Sequence, residues 1–299
     1  MIQPTIHDYE LLDFGEGRKL EQFGPWVLDR PCPAAVRARQ SPDLWKRVTA
    51  RFEGDRAADG RWKPSHKKWV AQEIELPITI DNAHAFRMKL TGLPSGQVGI
   101  FPEQVSNWQW IAKQIARAGS QSGLGELPAV KVLNLFAYTG GSTLAAAVAG
   151  AEVTHVDAAK SMVARARKNA EISGLAEHPV RWIVEDAVKF CQREVKRGNQ
   201  YDAVILDPPS YGHGPKGEAW SISRDLLPLL KLVGELTSDR RAFILTTCHT
   251  PNIGPAELEA MLAEGIFGQC GQGGKTGNLF LESAQGKKLP SGVFARWPN

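Results

Sequence analysis

The sequence is short of cysteine. Its four cysteines, Cys32, Cys191, Cys248 and Cys270, are far apart and form no C-x-x-C pair. Spacing therefore gives neither a zinc site nor a disulfide framework, and no metal is expected. No apolar run approaches the roughly 18 residues of a membrane helix. The opening residues Met1 to Asp8 lack the basic start and apolar core of a secretory signal. A reducing cytoplasm is the expected setting. Internal repeats and long low-complexity tracts are missing too, so a solenoid is excluded. Charge of one sign is scarce: 36 Lys and Arg against 32 Asp and Glu leave +4, too little by itself to demand a nucleic-acid partner.

What is present is an ordinary globular balance, with 42% hydrophobic and 23% charged residues, so disorder over most of the chain is not expected. The first 75 or so residues read as irregular and rich in turn signals, such as Phe14-Gly15-Glu16-Gly17 and Phe23-Gly24-Pro25. Basic residues concentrate there. Arg37 to Lys68 holds ten of them against four acidic ones, Asp43, Glu53, Asp55 and Asp59, interleaved with Trp45 and Trp62. Such a window suits phosphate contact and base stacking; its alternative is a solvated face of a small domain.

Strands are expected over 73–80 and 85–90 and a helix over 105–118. The polar stretch 119–125 reads as a linker. From there short apolar runs alternate with helical ones. Strands are expected at 132–136, 153–156, 180–184, 203–206 and 242–247, with helices at 143–149, 159–173, 187–197, 224–236 and 255–264. That rhythm means βαβ units and a parallel sheet. Three regions are drawn: a small N-terminal domain over 1–75, a connecting segment over 76–124, and a nucleotide-binding domain over 125–299.

In a sheet of this kind ligands lie beyond the carboxyl ends of the strands. The first strand ends in Asn134-Leu135-Phe136-Ala137-Tyr138-Thr139-Gly140-Gly141. Its glycines permit a tight turn, and the next helix offers free N–H groups to an anion. The run is not G-x-G-x-x-G, so a dinucleotide fingerprint is missing. The second strand ends at Asp157, followed by Ala158. The third is followed by Glu185-Asp186-Ala187 and the fourth by Asp207-Pro208-Pro209-Ser210-Tyr211. A carboxylate after three successive strands suits ribose hydroxyls, an adenine amino group and an acceptor. Each carboxylate has the alternative role of helix cap.

These motifs together resemble class I S-adenosylmethionine-dependent methyltransferases. Within that class they look like the bacterial 23S ribosomal RNA large-subunit methyltransferases, especially the cytosine-C5 type. The resemblance runs from about Gly99 to the C-terminus. It also takes in Gly99-Ile100-Phe101-Pro102-Glu103-Gln104, similar to a stretch that closes over the cofactor in those enzymes. The RNA-binding pattern with which those enzymes often begin is not seen here. The resemblance implies a Rossmann-like α/β sheet with a smaller N-terminal α+β domain, S-adenosylmethionine as cofactor and ribosomal RNA as partner. The implied cofactor-binding residues are Phe101, Gln104, Asn134, Phe136, Ala137, Tyr138, Thr139, Gly140, Asp157, Ala158, Glu185, Asp186, Ala187, Asp207 and Pro208. Pro209, Ser210 and Tyr211 would meet the substrate.

The fifth strand ends in Thr246-Thr247-Cys248-His249-Thr250, which resembles the nucleophile segment of the cytosine-C5 enzymes. A thiolate adding to cytosine C6 makes C5 enamine-like, so Cys248 is the expected nucleophile, with Asp207 also catalytic. Its alternative is a small apolar residue packed at a strand end. Asp-Pro-Pro-Ser-Tyr also fits methylation of an amino group or ring nitrogen. Cytosine C5 is the favoured acceptor, with guanine or another base nitrogen next. A small-molecule methyltransferase and a cofactor-retaining RNA-binding protein complete the alternatives.

Overall fold

The computed structural model describes residues 3–54, 60–64, 74–120, 129–269 and 274–299. The readings on Asp55, Arg56, Asp59, Lys67, Lys68 and Cys270, and most of the expected linker, lie outside those residues. The chain divides into two compact units, Met1–Val105 with Phe280–Ser291, and Ser106–Leu279 with Gly292–Asn299. The sequence-based cuts at 75/76 and 124/125 differ from this division. β1 (Thr5–Ile6) pairs antiparallel with β7 (Ile74–Thr79), so the strands of the expected connecting segment belong to the first unit's own sheet, while most of its helix belongs to the second unit.

The first unit is almost wholly β. β2 (Tyr9–Gly15), β3 (Arg18–Phe23), β4 (Trp26–Pro31), β5 (Ala50–Glu53) and β6 (Arg61–Lys63) form a five-stranded sheet in that order. β1, β7 and β8 (Ala85–Leu90) form a second sheet. The residues read as irregular are therefore strands. Period-2 alternation is masked because charged side chains are buried along with apolar ones. Asp13, Glu21, Asp29 and Arg30 are all buried. Arg30 Nε donates to Glu21 Oε2 at 2.9 Å, and the Tyr9 hydroxyl donates to Glu21 Oε1 at 3.2 Å. Although burial pushes the other way, Arg30 and Lys19 hold the Glu21 carboxyl below its usual range. A buried charge persists only when paired in this manner.

The second unit begins with α1 (Val105–Ser120), whose Asn107, Trp108, Ile111, Ala112 and Ile115 are buried. Then follow β9 (Lys131–Leu135), α2 (Gly141–Val148), β10 (Glu152–Asp157), α3 (Lys160–Ile172), β11 (Val180–Val184), α4 (Ala187–Lys196) and β12 (Ala203–Leu206). A short hairpin, β13 (Tyr211–His213) with β14 (Ala219–Ser221), precedes α5 (Ile222–Leu236). β15 (Phe243–Cys248), α6 (Pro255–Leu262), a π-helical turn Ala263–Phe267, β16 (Lys275–Glu282) and β17 (Lys288–Trp297) complete the chain. The sheet order is β11-β10-β9-β12-β15-β17-β16. The five strands expected from sequence are parallel to one another; β17 runs antiparallel to β15.

The strand order reverses between β9 and β12, which pair directly (Leu206↔Leu135). That switch opens a crevice at the carboxyl ends of the strands. The core beneath is one cluster of Leu133, Val204, Leu226, Leu229, Leu230 and Ile244 with their neighbours. Among the described residues no helix is long and apolar enough to cross a membrane.

Candidate active site

The loop after β9 is built against backbone preference. Phe136 and Tyr138 have φ of 55° and 49°, and Gly140 has φ 90°. A non-glycine residue in the left-handed region costs of order 1 kcal/mol or more, so other groups must hold the loop. Tyr138 N donates to Asp157 Oδ2 at 2.8 Å, Ala137 N to Val156 O at 3.1 Å, and Asn169 Nδ2 of α3 to Thr139 O at 2.9 Å. The Phe136 ring meets Trp220 of β14 at 4.8 Å between centroids. The next glycine is fixed by packing: a Cβ on Gly141 would stand 2.6 Å from the Trp108 ring of α1.

Beneath the loop lies a buried polar chain. Asn134 Nδ2 donates to Thr143 Oγ1 at 2.9 Å, and Thr143 Oγ1 shares a hydrogen bond with His155 Nδ1 at 2.9 Å. His155 is fully buried. Burial, with the Arg167 charge second, pushes its imidazole down to about 3, so it is neutral.

Asp157 ends β10 half-buried. Its Oδ1 accepts from Ala159 N at 2.8 Å while Oδ2 holds the Tyr138 amide. Burial raises its carboxyl above the usual range even though both amides oppose that. Each carboxylate oxygen has two lone pairs, so one remains on each for a further donor. Ala158 follows, half-buried.

After β11 the carboxylates are occupied differently. Glu185 Oε2 accepts from Arg193 Nη1 at 2.5 Å. Asp186 caps α4, its Oδ1 accepting from Lys189 N at 2.9 Å, and Ala187 is buried as the first helical residue. The helix-cap alternative is therefore the structural role of Asp186.

At the end of β12, Asp207 Oδ1 accepts from the Thr247 hydroxyl at 2.6 Å and lies 3.6 Å from His249 Nε2. Ser210 Oγ and Thr250 Oγ1 share a hydrogen bond of 2.8 Å. Pro208 is buried, Pro209 is exposed and its carbonyl accepts from Trp220 Nε1 at 2.7 Å. Tyr211 opens the hairpin at 78% exposure. Cys248 lies apart from this open edge. It is 1% exposed, packs in the main hydrophobic cluster, and its Sγ accepts from Thr250 N at 3.4 Å. Successive strand residues face opposite sides: Thr247 turns to Asp207 and Cys248 to the core. Sequence reasoning passed over Thr247 and Thr250, whose signal is their adjacency to Cys248. His249 stands beside Cys248 in the sequence, but neighbouring strand residues face opposite sides, so it is not the expected base for that thiol.

Phe101 and Gln104 belong to the first unit, at the 3-10 turn Pro102–Gln104, with Gln104 buried. Two of the tryptophans offered for stacking are committed within that unit. Trp62 is buried with Nε1 donating to Leu93 O at 2.9 Å, and Trp45 Nε1 donates to Asp13 Oδ2 at 2.8 Å beneath the Arg39 guanidinium. Lys46, Arg51 and Lys63 pair with Asp43, Asp29 and Glu53, while Arg37 and Arg47 are exposed.

Comparison with known proteins gives this geometry a family. Residues 56–266 match the model of the S-adenosylmethionine-dependent methyltransferases. The crystal structure of a SAM-dependent methyltransferase from Agrobacterium tumefaciens is 33% identical, superposes with a TM-score of 0.86, and is matched over 98% of this chain and 91% of that one. Ribosomal RNA large subunit methyltransferase I of Aeromonas salmonicida is 32% identical over 116 residues, 38% of this chain and 26% of that protein. Ribosomal RNA large subunit methyltransferase K/L of Shewanella baltica is 29% identical over 176 residues, 58% of this chain and 22% of that protein. The match thus spans about a quarter of those curated relatives. With a family model covering most of its length and a near full-length relative, the chain belongs to the S-adenosylmethionine-dependent methyltransferases.

Proposed function

We propose that this methyltransferase modifies a nitrogen of a base in ribosomal RNA, with guanine the leading acceptor. The observation that carries the reading is the contrast at the acceptor edge. Asp207 and Tyr211 are open, whereas Cys248 is shut in the core. The large-subunit RNA methyltransferases among the relatives support RNA as substrate, and exposed Arg37 and Arg47 are available for phosphate.

The residues present fit the cofactor. Two free lone pairs on Asp157, one per oxygen, match the two hydroxyls of a ribose. The turn through Gly140 presents the first amides of α2 to a carboxylate. Phe136, Ala137, Tyr138 and Thr139 would line that turn above Asn134. Ala158, Glu185, Asp186 and Ala187 would border the adenine. When bound, S-adenosylmethionine supplies an electrophilic methyl group. Asp207 would accept a hydrogen bond from the acceptor base and turn its nitrogen lone pair toward that methyl. Pro208, Pro209 and Ser210 would fix the backbone beside it, and the Tyr211 ring would stack on the base.

Methylation at cytosine C5 is the second reading. Its supporting observation is the Thr250 amide, which donates to Cys248 Sγ at 3.4 Å beside the Ser210–Thr250 bond. Nucleoside mass spectrometry of ribosomal RNA from cells with and without the gene separates the two. Loss of an N-methylated guanosine supports the proposal. Loss of 5-methylcytidine supports the second reading, and unchanged nucleosides point to a small-molecule acceptor.

A further inference from the structure

Resting on that reading, we infer that His249 is the base that takes the proton displaced from the acceptor nitrogen, and that Asp207 stabilises the imidazolium it then becomes. His249 follows β15 directly and keeps 38% of its side chain exposed at the acceptor edge. Its Nε2 faces Asp207 Oδ1 at 3.6 Å. Asp207 is itself anchored by the Thr247 hydroxyl at 2.6 Å, and the two loops are tied again by Ser210 and Thr250.

From the β17 side the imidazole meets Gly292. A Cβ there would stand 2.8 Å from His249 Nδ1 and 2.9 Å from the Cys248 carbonyl, and the φ of 112° also favours glycine. This glycine is the room the ring needs to lie against β17 and turn Nε2 to Asp207. Asp207 is the charged group facing the ring. Its neighbours Thr247, Cys248 and Thr250, and Gly292 and Val293 opposite, carry no formal charge.

The chemistry needs such a pair. The nitrogen lone pair forms the bond to the methyl carbon, the carbon–sulfur bond breaks, and its electrons stay on sulfur. The nitrogen becomes cationic and releases its N–H proton to His249 Nε2. The imidazolium formed then lies against the Asp207 carboxylate, which offsets its charge. General-base help of this kind contributes about 10²–10⁴-fold in rate.

The test is single-turnover methylation, across pH, of ribosomal RNA extracted from cells lacking the gene, by the full chain with labelled S-adenosylmethionine. Wild type should lose rate on the acid side through one titrating group. His249→Gln should fall at least about 100-fold and lose that acid limb, while binding S-adenosylhomocysteine normally by calorimetry. An active wild type whose His249→Gln keeps the rate and the acid limb overturns the assignment alone. So does a variant that loses S-adenosylhomocysteine binding, since the histidine is then structural. A wild type that leaves ribosomal RNA unmethylated overturns the proposed substrate, and the step with it.

Discussion

In the loops after β9 and β10 side chains bond to backbone amides and carbonyls; the loops after β12 and β15 are joined to each other by bonds between side chains. Asp157 spends one lone pair of each oxygen on a backbone amide, Tyr138 N and Ala159 N. Asp207 is held instead by the Thr247 hydroxyl and faced by His249. Backbone donors come at fixed positions and survive most substitutions, which suits a cofactor of constant shape. Side-chain donors change with sequence, which suits the variable part of the proposed site. On the proposed reading the first edge is a fixed seat and the second an adjustable one.

The sharpest way to break the fixed seat is Asp157→Ala. It removes the proposed acceptor for the ribose and releases the Tyr138 amide that holds a residue at φ 49°. A hydrogen bond to a charged group contributes about 1.5–3 kcal/mol. Affinity for S-adenosylhomocysteine should drop by roughly 100-fold or more in calorimetric titration. Unchanged affinity in a folded variant would remove Asp157 from the cofactor site.

Acid sharpens the same comparison, because the seat rests on a histidine that stays neutral. Folded His155 titrates at about 3, whereas an unfolded histidine titrates near 6.5. As pH falls below 6.5 the unfolded chain takes up this proton first. The stability given by the neutral ring is present above that pH and is lost on the way down to about 3. The slope is about 1.4 kcal/mol per pH unit, so about 2 kcal/mol is lost by pH 5. His155→Gln should lose about that much less than wild type between pH 7.5 and 5 in urea unfolding. Parallel losses would show that another group drives the acid response.

The adjustable seat predicts a smaller, separable effect. Tyr211 is 78% exposed, so Tyr211→Ala should leave the unfolding midpoint almost unchanged. Losing one base–aromatic stack, about 1–3 kcal/mol, should raise KM for ribosomal RNA about tenfold or more while S-adenosylhomocysteine affinity holds. Equal weakening of both ligands would join the two edges into one unit.

The same contrast governs what could be read before the structure. The five parallel strands, their helices and the strand-end carboxylates follow from apolar runs of one period, and their bounds agree to within two residues. The helix expected over 143–149 starts at Gly141 because its first turn is closed by glycine rather than by a capping side chain. β2, β3 and β4 are hidden by charged residues in their buried positions. β16 and β17 were hidden because Gly277 and Gly292 interrupt their apolar rows. The Thr247, His249 and Asp207 contacts join residues 40 or more apart, and no local pattern announces them. Cys248 was legible as a cysteine at a strand end, but its side of the strand was not. Trp45 and Trp62 were legible as aromatics among cations, but not their buried partners.

The measurement that bears most directly on the account is the turnover of Cys248→Ala on ribosomal RNA. The thiol packs in the core, so on the proposed reading the variant should give up about 1 kcal/mol of stability and keep a methylation rate within about twofold of wild type. A variant that folds and binds S-adenosylhomocysteine normally but transfers no methyl group would contradict the account and place a covalent thiol at the base.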